Sequence, residues 1–168
     1  MTSAPRPFDT VLVANRGEIA VRVLRAAKES GLRGVAVYSD PDEGSLHVEN
    51  ADQAVHLPGT TLADTYLNGD AIIEAARSTG AQAIHPGFGF LSERADFANA
   101  VKSAGLIWIG PPAAAIDTMG DKISARRCMI ESGVPVIPGE EISIGGDSDH
   151  LGVLASAAAR VGYPLLLK

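Results

Sequence analysis

Thr10-Val11-Leu12-Val13-Ala14-Asn15-Arg16-Gly17-Glu18 decides the fold: a short apolar, β-branched run breaks into a polar turn carrying a glycine and then into a helical pattern. From Glu18 to Ser30 the residues Ile19, Ala20, Val23, Leu24 and Ala27 recur at helix spacing. Glu18 with Arg22, and Arg25 with Glu29, read as i,i+4 opposite-charge pairs on the outer side, and Gly31 is the expected stop. Gly34-Val35-Ala36-Val37-Tyr38 is apolar throughout, as a strand covered on both faces of a parallel sheet would be.

The same alternation continues. Gln53 to Leu57 is a weaker strand, a helix capped at Asn68 or Gly69 runs to Gly80, and Ala81 to His85 follows as a strand. A helix from Glu93 to Gly105 then leads to the strand Leu106-Ile107-Trp108-Ile109. Strands alternating with helices predict an α/β fold, a Rossmann-like open parallel sheet with helices on both faces. Pro111-Pro112 marks a break, which places one domain at residues 1–116 and the opening of a second at 117–168. In that second part a helix pair is expected around Met119 to Ser132, a helix from His150 to Val161, and an apolar strand from Tyr163 to Lys168. A strand ending there has no evident partner, so the second domain is expected to continue in a longer parent protein.

Composition excludes several classes. The 168 residues are 46% hydrophobic and 20% charged, the range of a globular domain, and 14 Lys+Arg against 20 Asp+Glu give a net charge of -6 with no basic block. Nonspecific nucleic-acid binding is disfavoured. No apolar run approaches the roughly 20 residues that cross a bilayer, and the N-terminus lacks the apolar core of a signal peptide, so no membrane association is expected. One cysteine, Cys128, allows no internal disulfide and reads as a small buried residue; with it goes a cytoplasmic reading.

In such a sheet ligands collect beyond the carboxyl ends of the strands. After the first strand, Asn15-Arg16-Gly17-Glu18 opens a helix without the three-glycine dinucleotide fingerprint, which argues against a nicotinamide or flavin cofactor; Arg16 and Glu18 read as a solvated helix start. After the fourth comes His85-Pro86-Gly87-Phe88-Gly89-Phe90-Leu91-Ser92-Glu93, whose glycines bare the backbone to a ligand beside flat apolar rings. There His85 reads as a hydrogen-bonded structural histidine, and Ser92 with Glu93 as a helix start. Met119-Gly120-Asp121-Lys122 reads as a helix opening that carries an acid and a base, and Lys168 closes an apolar strand, where phosphate is a common partner for an ammonium; either lysine alone is unremarkable.

Together the runs Val13 to Ala20, Val35 to Asp40, His85 to Glu93, Ile109-Gly110-Pro111, Met119 to Lys122, Gly133-Val134-Pro135 and Gly162-Tyr163-Pro164 resemble the N-terminal part of biotin carboxylase, in that family's order and spacing. The resemblance implies an ATP-grasp ligase that uses ATP, Mg2+ and bicarbonate to carboxylate biotin on a carrier domain. It works with a carboxyltransferase component in acyl-CoA, pyruvate or urea carboxylases. By this resemblance Lys122 and Lys168 fall on ATP-binding lysines, and Phe88 and Gly89 on the loop that touches biotin. Arg25 and Glu29 fall on helix positions that the bacterial homodimer uses at its interface, where a solvated ion pair reads equally well. Phe88 stands where the family usually has Tyr, so a hydroxyl is missing. The family's glycine-rich lid, magnesium-binding carboxylates, glutamate base and bicarbonate-holding arginines fall beyond Lys168, so no catalytic or metal-binding residue is assigned in this chain and it is expected not to turn over alone. Two other readings stay open, a stand-alone nucleotide-binding module and an assembly module without catalysis.

Overall fold

All four residues of β1 (Thr10–Val13) are buried, and successive side chains of a strand face opposite sides of the sheet. The computed structural model describes residues 6–140, 142 and 150–166. The chain falls into two compact units, Met1–Asp117 and Thr118–Lys168.

In the first unit β1 is flanked by β2 (Arg33–Tyr38), β3 (Gln53–His56), β4 (Ala83–His85) and β5 (Ile107–Trp108) in a five-stranded parallel sheet of order β3-β2-β1-β4-β5. On one face Val11, Val13, Ala36 and Ala83 meet Ala20, Val23, Leu24 and Ala27 of α1 (Gly17–Glu29). The contact is close: a Cβ on Gly34 would come within 2.8 Å of the Leu24 side chain. On the other face Leu12, Val35, Val37 and Ile84 pack with Ile72, Ile73 and Ala76 of α3 (Gly69–Thr79) and with Phe97, Ala98 and Val101 of α4 (Ala95–Ser103). Phe97 meets Trp108 edge to face, with ring centroids 5.7 Å apart. Asn68 caps α3 by accepting from the Ala71 amide at 3.0 Å, and Gly80 ends the helix in the left-handed conformation.

Several short elements differ from expectation. A 3-10 turn (Asp40–Asp42) and the four-residue α2 (Leu46–Glu49), which no sequence pattern marks, lie between β2 and β3. The helix expected from Glu93 begins instead at Ala95: residues Phe90–Glu93 make a 3-10 turn, closed by the Ser92 amide donating to the Gly89 carbonyl, and Ser92 caps nothing. Beyond the two prolines, α5 (Ala113–Gly120) starts earlier than expected, because the Pro112 carbonyl accepts from the amides of Ala115 and Ile116.

The second unit holds α6 (Lys122–Glu131) and α7 (His150–Val161). Asp121 caps α6 by accepting from the amides of Ile123 and Ser124, and Arg160 grips Glu140 through two hydrogen bonds. The apolar strand expected over 163–168 is not formed by its described residues: Tyr163 and Leu166 are exposed, Pro164 has no amide to donate, and no strand of this unit among the described residues offers a ladder. No helix among the described residues is long and apolar enough to cross a membrane.

Candidate functional site: the crevice at the ends of β1 and β4

The strand order reverses between β1 and β4, and the residues that leave their carboxyl ends are joined there. Asn15, just after β1, is buried, and its Nδ2 donates to the carbonyls of Pro86 and Phe88, each at 2.9 Å. Its Oδ1 accepts from the Arg16 amide at 2.9 Å. Between the two bonded carbonyls lies Gly87, at φ +73°, where a Cβ would meet Asn15 Nδ2 at 2.6 Å. Only glycine fits both conditions. His85 is a structural histidine, as expected: its Nδ1 accepts from the Gly87 amide at 2.9 Å. Burial, helped by the charge of Arg22, holds the His85 imidazole below its ordinary pKa.

Arg16 is not a free helix-start charge. Its Nη1 lies 2.9 Å from Asp42 Oδ2, and its guanidinium stands 5.8 Å from the Tyr66 ring centroid. The same carboxylate oxygen accepts from the Tyr66 hydroxyl at 2.7 Å and from Ser39 Oγ at 3.0 Å. Burial pushes the Asp42 carboxyl up, but the bonds from Tyr66, Arg16 and Ser39 outweigh it and hold the group below the usual carboxylate range. Burial and the bond to Asp42 push the Tyr66 phenol up to about 12. Tyr66 also stacks on Phe90, centroids 5.7 Å apart, and so backs the far end of the 85–93 loop.

Nearby, Asp40 Oδ1 lies 2.6 Å from His56 Nε2, and this bond lowers the Asp40 carboxyl. His47 is buried with Nε2 3.2 Å from the Val37 carbonyl, while its Nδ1 has no partner among the described residues. Burial lowers its pKa.

Of the residues singled out in the sequence, Phe88 stands 75% exposed at the tip of the anchored loop, and nothing crowds the Cβ position of Gly89. The loop tip thus sets a flat apolar ring beside bare backbone. Arg25 and Glu29 lie on the exposed side of α1, 3.9 Å apart. Lys122 belongs to the second unit, where it lines an open cleft with Asp121, Arg126 and Glu140. Because Asp121 takes two first-turn amides of α6, an anion there would meet the Lys122 ammonium rather than a bare helix terminus. Lys168 lies outside the described residues. Cys128 is a half-buried free thiol rather than a buried one, because α6 has no fully buried position. No group of three acidic, histidine or cysteine side chains able to hold a metal occurs among the described residues. Sequence reasoning missed the seating role of Asn15, whose signal is a carboxamide between a strand and a glycine, and the Asp42–Tyr66 pair, which no local pattern marks.

Residues 7–116 match the family model for the biotin carboxylase N-terminal domain. The methylcrotonoyl-CoA carboxylase α subunit of Dictyostelium discoideum, a mitochondrial protein by its name, is 48% identical over 97% of this chain and 23% of its own length. The biotin carboxylase of Halalkalibacterium halodurans is 45% identical over 96% of this chain and 35% of its own. Among solved structures, the biotin carboxylase domain dimer of Hydrogenobacter thermophilus 2-oxoglutarate carboxylase, in complex with MgADP, ADP and bicarbonate, superposes with a TM-score of 0.81. It is 42% identical and covers 95% of this chain and 34% of that one. The chain thus spans about a quarter to a third of the length of these relatives. On these matches and on the sheet that carries them, the chain belongs to the biotin carboxylase family, as its N-terminal region.

Proposed function

We propose that the chain serves as one wall of the active-site cleft of a biotin carboxylase subunit. The whole protein would use ATP and bicarbonate to carboxylate biotin held on a carrier domain and pass the carboxyl group to a carboxyltransferase component of an acyl-CoA carboxylase. The observation that carries this reading is the loop at the β1/β4 crevice, bonded to Asn15 through two carbonyls and presenting the exposed Phe88 ring beside Gly89.

In this reading Phe88 and Gly89 line the biotin site, and Lys122 and Lys168 neutralise charge on the nucleotide phosphates. Arg25 and Glu29 serve a homodimer contact. Residues 1–116 are the N-terminal domain and 117–168 open the ATP-grasp domain. Magnesium accompanies the nucleotide, and no ligand for it is assigned in this chain. The location we read as cytoplasmic, a reducing setting in which the lone thiol of Cys128 stays free, although the Dictyostelium discoideum relative carries a mitochondrial name.

The test supplies the 168-residue chain with ATP, magnesium, bicarbonate and free biotin and follows ADP. No biotin-dependent release is expected, because no catalytic residue is assigned here; robust turnover by the chain alone would overturn the reading of it as a wall.

A further inference from the structure

We propose that Asn15 is the positioning residue that presents Phe88 and Gly89 to biotin, an inference that rests on the biotin reading of that turn. Its buried carboxamide spends both donors on the loop and its oxygen on the Arg16 amide. The two bonded carbonyls belong to residues on either side of Gly87, whose own amide is held by His85. One backbone group on each of three successive residues, the Pro86 carbonyl, the Gly87 amide and the Phe88 carbonyl, is therefore held by a side chain.

The Phe88 ring, by contrast, is 75% exposed, so its direction is set by the backbone it hangs from and not by packing around it. Residue type matters at position 15. A carboxylate would turn an acceptor toward two carbonyls, a hydroxyl has one donor where two are used, and a longer amide would not fit where a Cβ on Gly87 would already meet Asn15 Nδ2 at 2.6 Å. Asn15 touches no reacting group; it acts through the loop.

The experiment uses 15N-labelled chain, wild type and Asn15→Asp, an isosteric change that keeps the bond to the Arg16 amide and removes both donors to the loop. Heteronuclear NOEs at residues 87 to 89 report loop order, amide shifts of the sheet report the fold, and free biotin is titrated against the Phe88 and Gly89 amides. The wild-type loop is expected to be rigid and to shift with biotin. In Asn15→Asp the sheet shifts should persist while the loop NOEs fall and the biotin midpoint rises about tenfold. Should that variant not fold, Gly87→Ala, which pushes the loop off Asn15 and removes no donor, is expected to do the same. A rigid loop and an unchanged biotin midpoint in the folded variant would overturn the role of Asn15. A wild-type loop silent to biotin would overturn the biotin reading itself, and with it any presentation to biotin, even if the NOEs showed the loop released.

Discussion

The hydroxyl of Tyr66 and the carboxylate of Asp42, 24 positions apart, meet at 2.7 Å on the oxygen that also receives Arg16 and Ser39. One acid thereby ties the carboxyl ends of β1 and β2 to the aromatic stack that backs the Phe90 end of the loop. Asp42→Ala would strand a buried phenol donor and cost about 1–3 kcal/mol. The phenolate midpoint, read from absorbance on base titration, should fall from about 12 part of the way toward 10, because burial keeps a share of the shift. An unchanged midpoint would show that the bond contributes nothing.

Acid should weaken the first unit in the range where histidine titrates. His47 and His85 both have folded pKa values below the ordinary 6.5, chiefly from burial. His47 also feels the opposing charges of Asp42 and Arg16, and His85 that of Arg22. A depressed histidine pKa means that the unfolded chain takes the proton first. The contribution is therefore complete above pH 6.5 and is lost as the pH falls through the folded values. Urea midpoints measured from pH 8 to 5 should decline, and His47→Gln should flatten part of that decline; an identical slope in the variant would contradict the assignment.

Phe97→Ala removes the ring that packs edge-on to Trp108, both of them in the core shared with α3 and α4. A loss of about 3–5 kcal/mol is expected. Trp108 is the chain's one tryptophan, so its emission reports unfolding of this unit directly. A loss under about 1 kcal/mol would mean that the site collapses to fill the space.

Arg25→Glu should leave stability within about 0.5 kcal/mol, since the pair with Glu29 is exposed on the helix surface. Light scattering then decides the second role proposed for this face. A dimer that weakens in the variant fits an α1 interface, and unchanged mass removes α1 from it.

How much of this was legible follows from the range of each interaction. The pattern Val11 to Leu24 is local, a buried run followed by a 3.6-residue repeat, and β1, α1 and the doubly covered sheet came out of it directly. The loop at 85–93 could be picked out because glycine and phenylalanine alternate, yet its anchor could not, because Asn15 and Phe88 are 73 positions apart. Asp42 carries no local signal, because its partners arrive from the ends of β1 and β2 and from a segment with no periodicity. Ser92 gave a false helix start because a 3-10 turn uses the same residue types as a cap and ends two residues before α4. Over residues 163–166 hydropathy suggested a strand, but a strand exists only where a neighbour supplies hydrogen bonds.

As proposed, this chain is a working wall of a biotin carboxylase. That role is tested most directly by replacing the matching N-terminal region of the Halalkalibacterium halodurans biotin carboxylase, 45% identical, with these 168 residues. ADP release by the purified chimera is then measured with and without biotin and bicarbonate. Release that requires both is expected; a folded chimera that binds ATP yet shows no biotin-dependent release would rule out the proposed role.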